Sequence, residues 1–313
     1  MGIAWVFPGQ GSQKTGMAAG VLDLPGARER FALASELLGR DLLAICLGEL
    51  EGGEPEGGEA EGGEAEGGGG PTDLNDTRNT QPGLFVVESL LVDALRAQGR
   101  QADRVAGHSL GELVALYAAG VFDAETGLRL MQRRSELMAA AGGGAMTAVI
   151  GFDRNALEQR VAATEGVVIA NDNSEAQVVL SGTPEAVAAV CGAITCKRAL
   201  PLPVSGAFHS PFMAAAAEAF AAELAPIPFA DAVIPVLSNT DPTPETSGEA
   251  LKRRLTSQMT RGVRWREIME RLAADGVDTA VEIGPGNVLS GLIRRSCDGM
   301  ATAQVAGAAD LEV

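Results

Sequence analysis

The chain of 313 residues carries 24 Lys/Arg against 41 Asp/Glu, and its formal charge of −17 argues against general nucleic-acid binding. Hydrophobic residues make up 46% and aromatic residues only 4%, so the core must be built mostly from Ala, Leu and Val, as suits an α/β protein. No apolar run reaches the ~18–20 residues that cross a bilayer, no basic leader precedes an apolar stretch at the start, and the four cysteines (Cys46, Cys191, Cys196, Cys297) lack metal-finger spacing.

"IAWVF" (3–7) reads as a strand that runs into the glycine-rich turn "GQGSQ" (9–13). That turn is not G-x-x-x-x-G-K, so a nucleotide phosphate loop is not expected. A helical pattern follows, "ARERFALASELLGRDLLAICL", and then the run "EGGEPEGGEAEGGEAEGGGG" (51–70), with seven glutamates and no basic residue. Such a composition cannot bury apolar surface, and a flexible surface loop is expected there. Another helical pattern, "QPGLFVVESLLVDALRAQG", resumes after Asn79, so the run is an insertion within a domain and catalysis is not expected to depend on it.

The short strand "DRVAG" (103–107) leads through glycine into a helix, the α/β signature. From 143 the rhythm changes to strand, helix, two strands, helix, strand: "AMTAVIGF", "RNALEQRVAATEG", "VVIAND", "AQVVLSG", "PEAVAAVCGAI" and "KRALPLPV". This βαββαβ order is the ferredoxin-like unit. "VIPVLSN" (233–239) and "DTAVEIGPG" (278–286) then read as strands of the larger unit. The expected architecture is an α/β-hydrolase-like parallel-sheet core, 1–142 and 205–313, with a ferredoxin-like subdomain at 143–204 inserted in it. A cleft is expected between the two. The stretch 251–295, with nine Lys/Arg and five Asp/Glu, offers a moderately basic face to an acidic partner.

Gly107-His108-Ser109-Leu110-Gly111 fits G-x-S-x-G, the nucleophile elbow, with a strand before and a helix after it. At the helix start the backbone N–H of Leu110 is free to stabilise an oxyanion. A serine hydroxyl needs a base to take its proton. His108 is adjacent in sequence, and neighbouring side chains diverge on a tight elbow, so it is expected to pack or hydrogen-bond in support of the turn. His209, in "PVSGAFHSPFM", is the only other imidazole, and elimination assigns it the base.

With "FPGQGSQ" (7–13), "TQPGLF" (80–85), "GHSLGE" (107–112), "GAFHSPFM" (206–213) and "EIGPGNVLSGL" (282–292), the chain resembles the malonyl-CoA:acyl carrier protein transacylase family nearly end to end. The run 51–70 departs from the family pattern, which has a short connection there. The resemblance implies ping-pong acyl transfer from malonyl-CoA to the phosphopantetheine thiol of acyl carrier protein. Ser109 would be the nucleophile and His209 the base, its ring oriented by backbone carbonyls near Gln258 rather than by a carboxylate. It also implies that the backbone N–H of Gln10 joins Leu110 in the oxyanion hole. Arg134 would hold the substrate carboxylate, as a guanidinium can with two parallel hydrogen bonds. Arg133, about 100° round the same helix, should face elsewhere. Phe208 and Leu110 match a preference for malonyl over branched acyl units, and Asn173, Gln258 and His108 are expected around the pocket. No cofactor, metal, nucleic acid or membrane is expected, and a monomeric cytoplasmic enzyme with reduced thiols is. A hydrolase using the same serine and histidine with water is the alternative.

Overall fold

The computed structural model describes residues 2–50, 70–204 and 206–312. The expected insertion therefore lies, but for Gly70, outside the described residues. Strand β1 (Gly2–Phe7) sits at the centre of a five-stranded parallel sheet. Its alternate side chains serve two cores: Trp5 and Phe7 pack into one, Ala4 and Val6 into the other. A parallel strand covered on both faces reads as a continuous apolar run, which is why "IAWVF" is visible in the sequence.

Helices α1 (Ala27–Leu38), α2 (Leu42–Leu47) and α3 (Thr77–Ala97) follow. Helix α3 starts earlier than the sequence pattern suggests. The Asp76 carboxylate caps it by accepting the Arg78 N–H, and its first turn is polar although buried. Strand β2 (Arg104–Gly107) pairs with β1 and delivers the chain to α4 (Gly111–Ala118), which packs against both strands. Asp123 then caps α5 (Ala124–Ala140), its carboxylate accepting the Thr126 N–H at 2.8 Å, so α4 and α5 are separate helices, as the Phe122-Asp123 break indicates.

The smaller sheet is antiparallel. Its elements are β3 (Ala145–Phe152), α6 (Arg154–Ala162), β4 (Val167–Ser174), β5 (Gln177–Gly182), α7 (Pro184–Ala193) and β6 (Cys196–Pro201). The strand order β4-β5-β3-β6 is that of a ferredoxin-like unit, in agreement with the βαββαβ pattern of the sequence.

The chain returns to the large sheet through α8 (Ala214–Leu224), β7 (Val236–Leu237), α9 (Gly248–Thr256), α10 (Trp265–Ala274), β8 (Val277–Ile283), α11 (Val288–Ser296) and β9 (Ala301–Val305). The sheet order is β7-β2-β1-β8-β9. The strand expected over 233–239 is only two residues long. Pro235 has no N–H to pair, and Asn239 leaves the ladder to hold the elbow described below. Strand β9, half exposed and short, has no apolar alternation to announce it.

The two sheets are tied at one edge. Val263 donates its N–H to Ala170 O at 2.8 Å and accepts from Asp172 N at 2.9 Å, which joins edge strand β4 to the segment just after Gln258. Arg154 and Arg266 both pair with the Asp172 carboxylate beside this bridge.

Candidate active site

The turn between β2 and α4 is tight enough to exclude side chains at both glycines. A Cβ on Gly107 would lie 1.9 Å from the carbonyl carbon of Gly111, and one on Gly111 would lie 2.3 Å from Phe7 O. Ser109 stands at the apex with φ 53°, a left-handed conformation costing about 1–2 kcal/mol for a residue with a Cβ. Strain of this kind persists only where surrounding structure enforces it. Here Asn239 does so: its Oδ1 accepts the Ser109 N–H at 2.8 Å and its Nδ2 donates to Gly107 O at 2.6 Å.

His209 is 3% exposed and also left-handed, with φ 56°. The Ser109 Oγ lies 2.7 Å from its Nε2, and its Nδ1 lies 3.0 Å from Gln258 O. A carbonyl only accepts, so Nδ1 carries the ring proton and Nε2 presents its lone pair to the serine hydroxyl. Burial, followed by the nearby Arg134 charge, lowers the imidazole's pKa to about 3. The ring is therefore neutral at neutral pH, with the Nε2 lone pair on the serine hydroxyl.

Arg134 is fully buried on α5. Its Nη1 donates to Gln81 Oε1 at 2.7 Å, and its Nη2 donates to Gln258 Oε1 and to Ser109 Oγ, both at 3.0 Å. Burial lowers the guanidinium's pKa to about 10, and the Glu112 carboxylate opposes the shift. The side chain still carries its charge at neutral pH. Arg133 faces away, bonded to Glu223 and Glu136, as the helix geometry requires.

A cavity of about 80 Å³ opens between the sheets on Ser109 and His209, with Gln10, His108, Leu110 and Phe208 in its wall. Met138, Met146, Leu202 and Val204 add apolar wall, and Gln81 and Asn171 are further polar members of it. A larger cleft of about 380 Å³ elsewhere, at Trp5 and Ile234, is lined by no nucleophile or carboxylate. Leu110 is the N-cap of α4, and no partner accepts its N–H or that of Gln10 among the described residues. The Gln10 side chain is anchored on Thr77.

Two residues expected at the pocket stand one layer behind it. The Asn173 Oδ1 lies 2.8 Å from His108 Nε2, and the His108 ring in turn packs against Trp265. Gln258 is buried behind Arg134, and its Nε2 donates to Ser109 O and to Glu112 Oε2. Both act through neighbours and do not line the cavity themselves.

Three residues with no assigned role in the sequence reading belong to this assembly: Gln81, Glu112 and Asn239. Glu112 is fully buried and accepts from the Asn239 N–H at 3.0 Å as well as from Gln258. Two of them lie inside the motifs "TQPGLF" and "GHSLGE", and for Glu112 a polar residue on an otherwise apolar helix was the available signal.

This arrangement places a serine on a strained elbow against a neutral imidazole and beside a buried cation, a geometry that acyl transfer through a serine can use. The sequence profile of the acyl transferase domain family matches residues 4–312, and the chain belongs to that family. It is 48% identical to the malonyl CoA-acyl carrier protein transacylase of Synechocystis sp. over 297 residues, 95% of this chain and 94% of that protein. The crystal structure of the Synechocystis sp. malonyl-CoA:ACP transacylase superposes with a TM-score of 0.90 at 46% identity, covering 100% of this chain and 99% of that one. A malonyl-transacylase in complex with its type II polyketide synthase acyl carrier protein gives a TM-score of 0.86 at 37% identity, covering 100% of this chain and 98% of that one.

Proposed function

We propose that the chain transfers the malonyl group of malonyl-CoA to the phosphopantetheine thiol of acyl carrier protein, for fatty-acid or polyketide synthesis. The observation that carries this reading is the fully buried Arg134 guanidinium 3.0 Å from a serine hydroxyl that is itself 2.7 Å from a neutral imidazole. A site for uncharged acyl groups has no use for that cation. The full-length likeness to malonyl transacylases supports the same substrate.

In the first half-reaction Ser109 Oγ forms a bond to the thioester carbon as its proton passes to His209 Nε2. The free N–H groups of Leu110 and Gln10 are the donors for the oxyanion. Collapse breaks the C–S bond, and the His209 proton goes to the departing CoA sulfur. In the second half the carrier thiol gives its proton to Nε2, attacks the ester carbon, and Ser109 leaves with that proton restored. Gln258 O steadies the imidazolium without a full negative charge.

Phe208 and Leu110 restrict branching next to the ester. In the stretch 251–295, Arg254, Arg264, Arg266 and Arg271 are paired with carboxylates, so it presents less free positive charge than its composition suggests. Among the described residues no helix is long and apolar enough to cross a membrane. The reading is of a cytoplasmic monomer needing neither cofactor nor metal, and without nucleic-acid partners. The test is intact-mass analysis of a phosphopantetheinylated carrier protein incubated with this chain and mixed acyl-CoAs. A malonyl adduct is expected, with no acyl-enzyme formed by Ser109→Ala. Free malonate without a loaded carrier would overturn the transfer reading in favour of hydrolysis.

A further inference from the structure

We propose that Arg134 also holds the Ser109–His209 pair inactive until a substrate carboxylate draws its guanidinium off the serine oxygen. The inference rests on the reading above, that the site takes a carboxylated acyl thioester. A serine oxygen has one proton and two lone pairs. The proton faces His209 Nε2, and one lone pair accepts the Arg134 Nη2–H. A cationic donor on the attacking oxygen withdraws the electron density that attack requires. The same charge, close to a buried imidazole, opposes its protonation. Arg134 therefore acts against both members of the pair.

Two further features make this arrangement exchangeable. Among the described residues Arg134 forms no ion pair; its charged neighbour Glu112 is reached through the Gln258 amide. Its Nε is buried and has no hydrogen-bond partner among the described residues. Nε and Nη2 form the side edge of the guanidinium, the fork that takes a carboxylate through two parallel bonds. A carboxylate seated there satisfies the orphan Nε, neutralises the charge and competes for Nη2, whose two hydrogens are shared by Ser109 Oγ and Gln258 Oε1. The carboxylate remains attached through the malonyl-serine stage, so His209 stays competent for the thiol. An acetyl thioester has no such group and meets a serine that is still restrained. Its handicap then lies in the acylation rate and not only in binding.

The test uses methanesulfonyl fluoride, a small neutral reagent that sulfonylates serine with loss of fluoride. Arg134→Met keeps the bulk and removes the donor, and is expected to be inactivated about ten- to a hundredfold faster than wild type. Arg134→Lys, which retains charge, should stay slow. On the wild-type protein, formate at concentrations that compete with malonyl-CoA should accelerate sulfonylation, whereas chloride at equal ionic strength should not. This arm decides the matter if Arg134→Met does not fold. Malonyl loading with competing formate but no acceleration in either arm overturns the restraint and leaves the transferase reading standing. Absence of malonyl loading, or formate that does not compete, overturns the reading on which it rests.

Discussion

Replacing Asn239 by alanine tests whether the nucleophile is held or merely present. Its side chain makes two bonds to the elbow, to the Ser109 N–H at 2.8 Å and to Gly107 O at 2.6 Å. Removal leaves both backbone groups without that partner in a buried turn, at about 1–3 kcal/mol each before relaxation. It also frees Ser109 from a φ of 53°, whose strain of about 1–2 kcal/mol favours relaxation. A net loss of about 2–4 kcal/mol is expected in urea unfolding. The kinetic effect is separate from that stability loss, since displacing the hydroxyl by about 1 Å costs about a hundredfold in rate in the protein that remains folded. Rapid-quench measurement of malonyl-enzyme formation at saturating malonyl-CoA reads this directly, and substrate affinity should change little because Asn239 does not line the cavity. A folded Asn239→Ala protein that acylates within about threefold of wild type would refute the argument that the strained elbow depends on this clamp.

With the His209 pKa lowered to about 3, the base stays unprotonated well below the ordinary imidazole range. The kcat/KM for malonyl-CoA, which reports the free enzyme, should hold from pH 8 to pH 5; a decline centred near pH 6.5 would contradict this. Glu88 is fully buried beside Glu282 with both oxygens unpartnered, and burial, then that neighbour, pushes its carboxyl well above the usual range. The folded state therefore keeps a proton that the unfolded chain releases, and stability from this group is present at acid pH and lost as pH rises. Glu88→Gln should accordingly raise the urea midpoint at pH 9 and leave it unchanged at pH 4. Gly107→Ala, whose methyl would meet Gly111 backbone, should destabilise by about 3 kcal/mol and slow acylation, as denaturation and burst kinetics would show. Replacing 51–70 by a short Gly-Ser linker should leave malonyl loading near wild type, because a Gly/Glu repeat offers neither apolar surface nor a nucleophile.

Ser109 and His209, which the structure brings together, were singled out by the elbow motif and by a chain that holds only two histidines, whereas Arg134 came only from the family resemblance. The smaller unit was legible because its six elements alternate period and length clearly. Asn239 was not, for its role depends on a two-residue strand whose pairing is decided by neighbours distant in the chain. Gln81 follows the polar residues Thr77–Thr80 at the start of its helix, and nothing in that run indicates which guanidinium it will meet. Asn173 and Gln258 sit near the site, but the sequence could not distinguish touching a substrate from bracing a residue that does. Such support is a property of three-dimensional layering, which one-dimensional spacing does not encode.

The ladder contact at Val263 has a mechanical corollary. Gln258, whose carbonyl steadies the catalytic imidazole, is five residues upstream of a backbone clasp to the edge of the antiparallel sheet. If that sheet swung outward to widen the entrance, it would drag the carbonyl away from the ring and disarm the enzyme as it opened. Bulkier acyl groups must then be admitted by trimming wall side chains such as Phe208 or Met138, and not by a hinge.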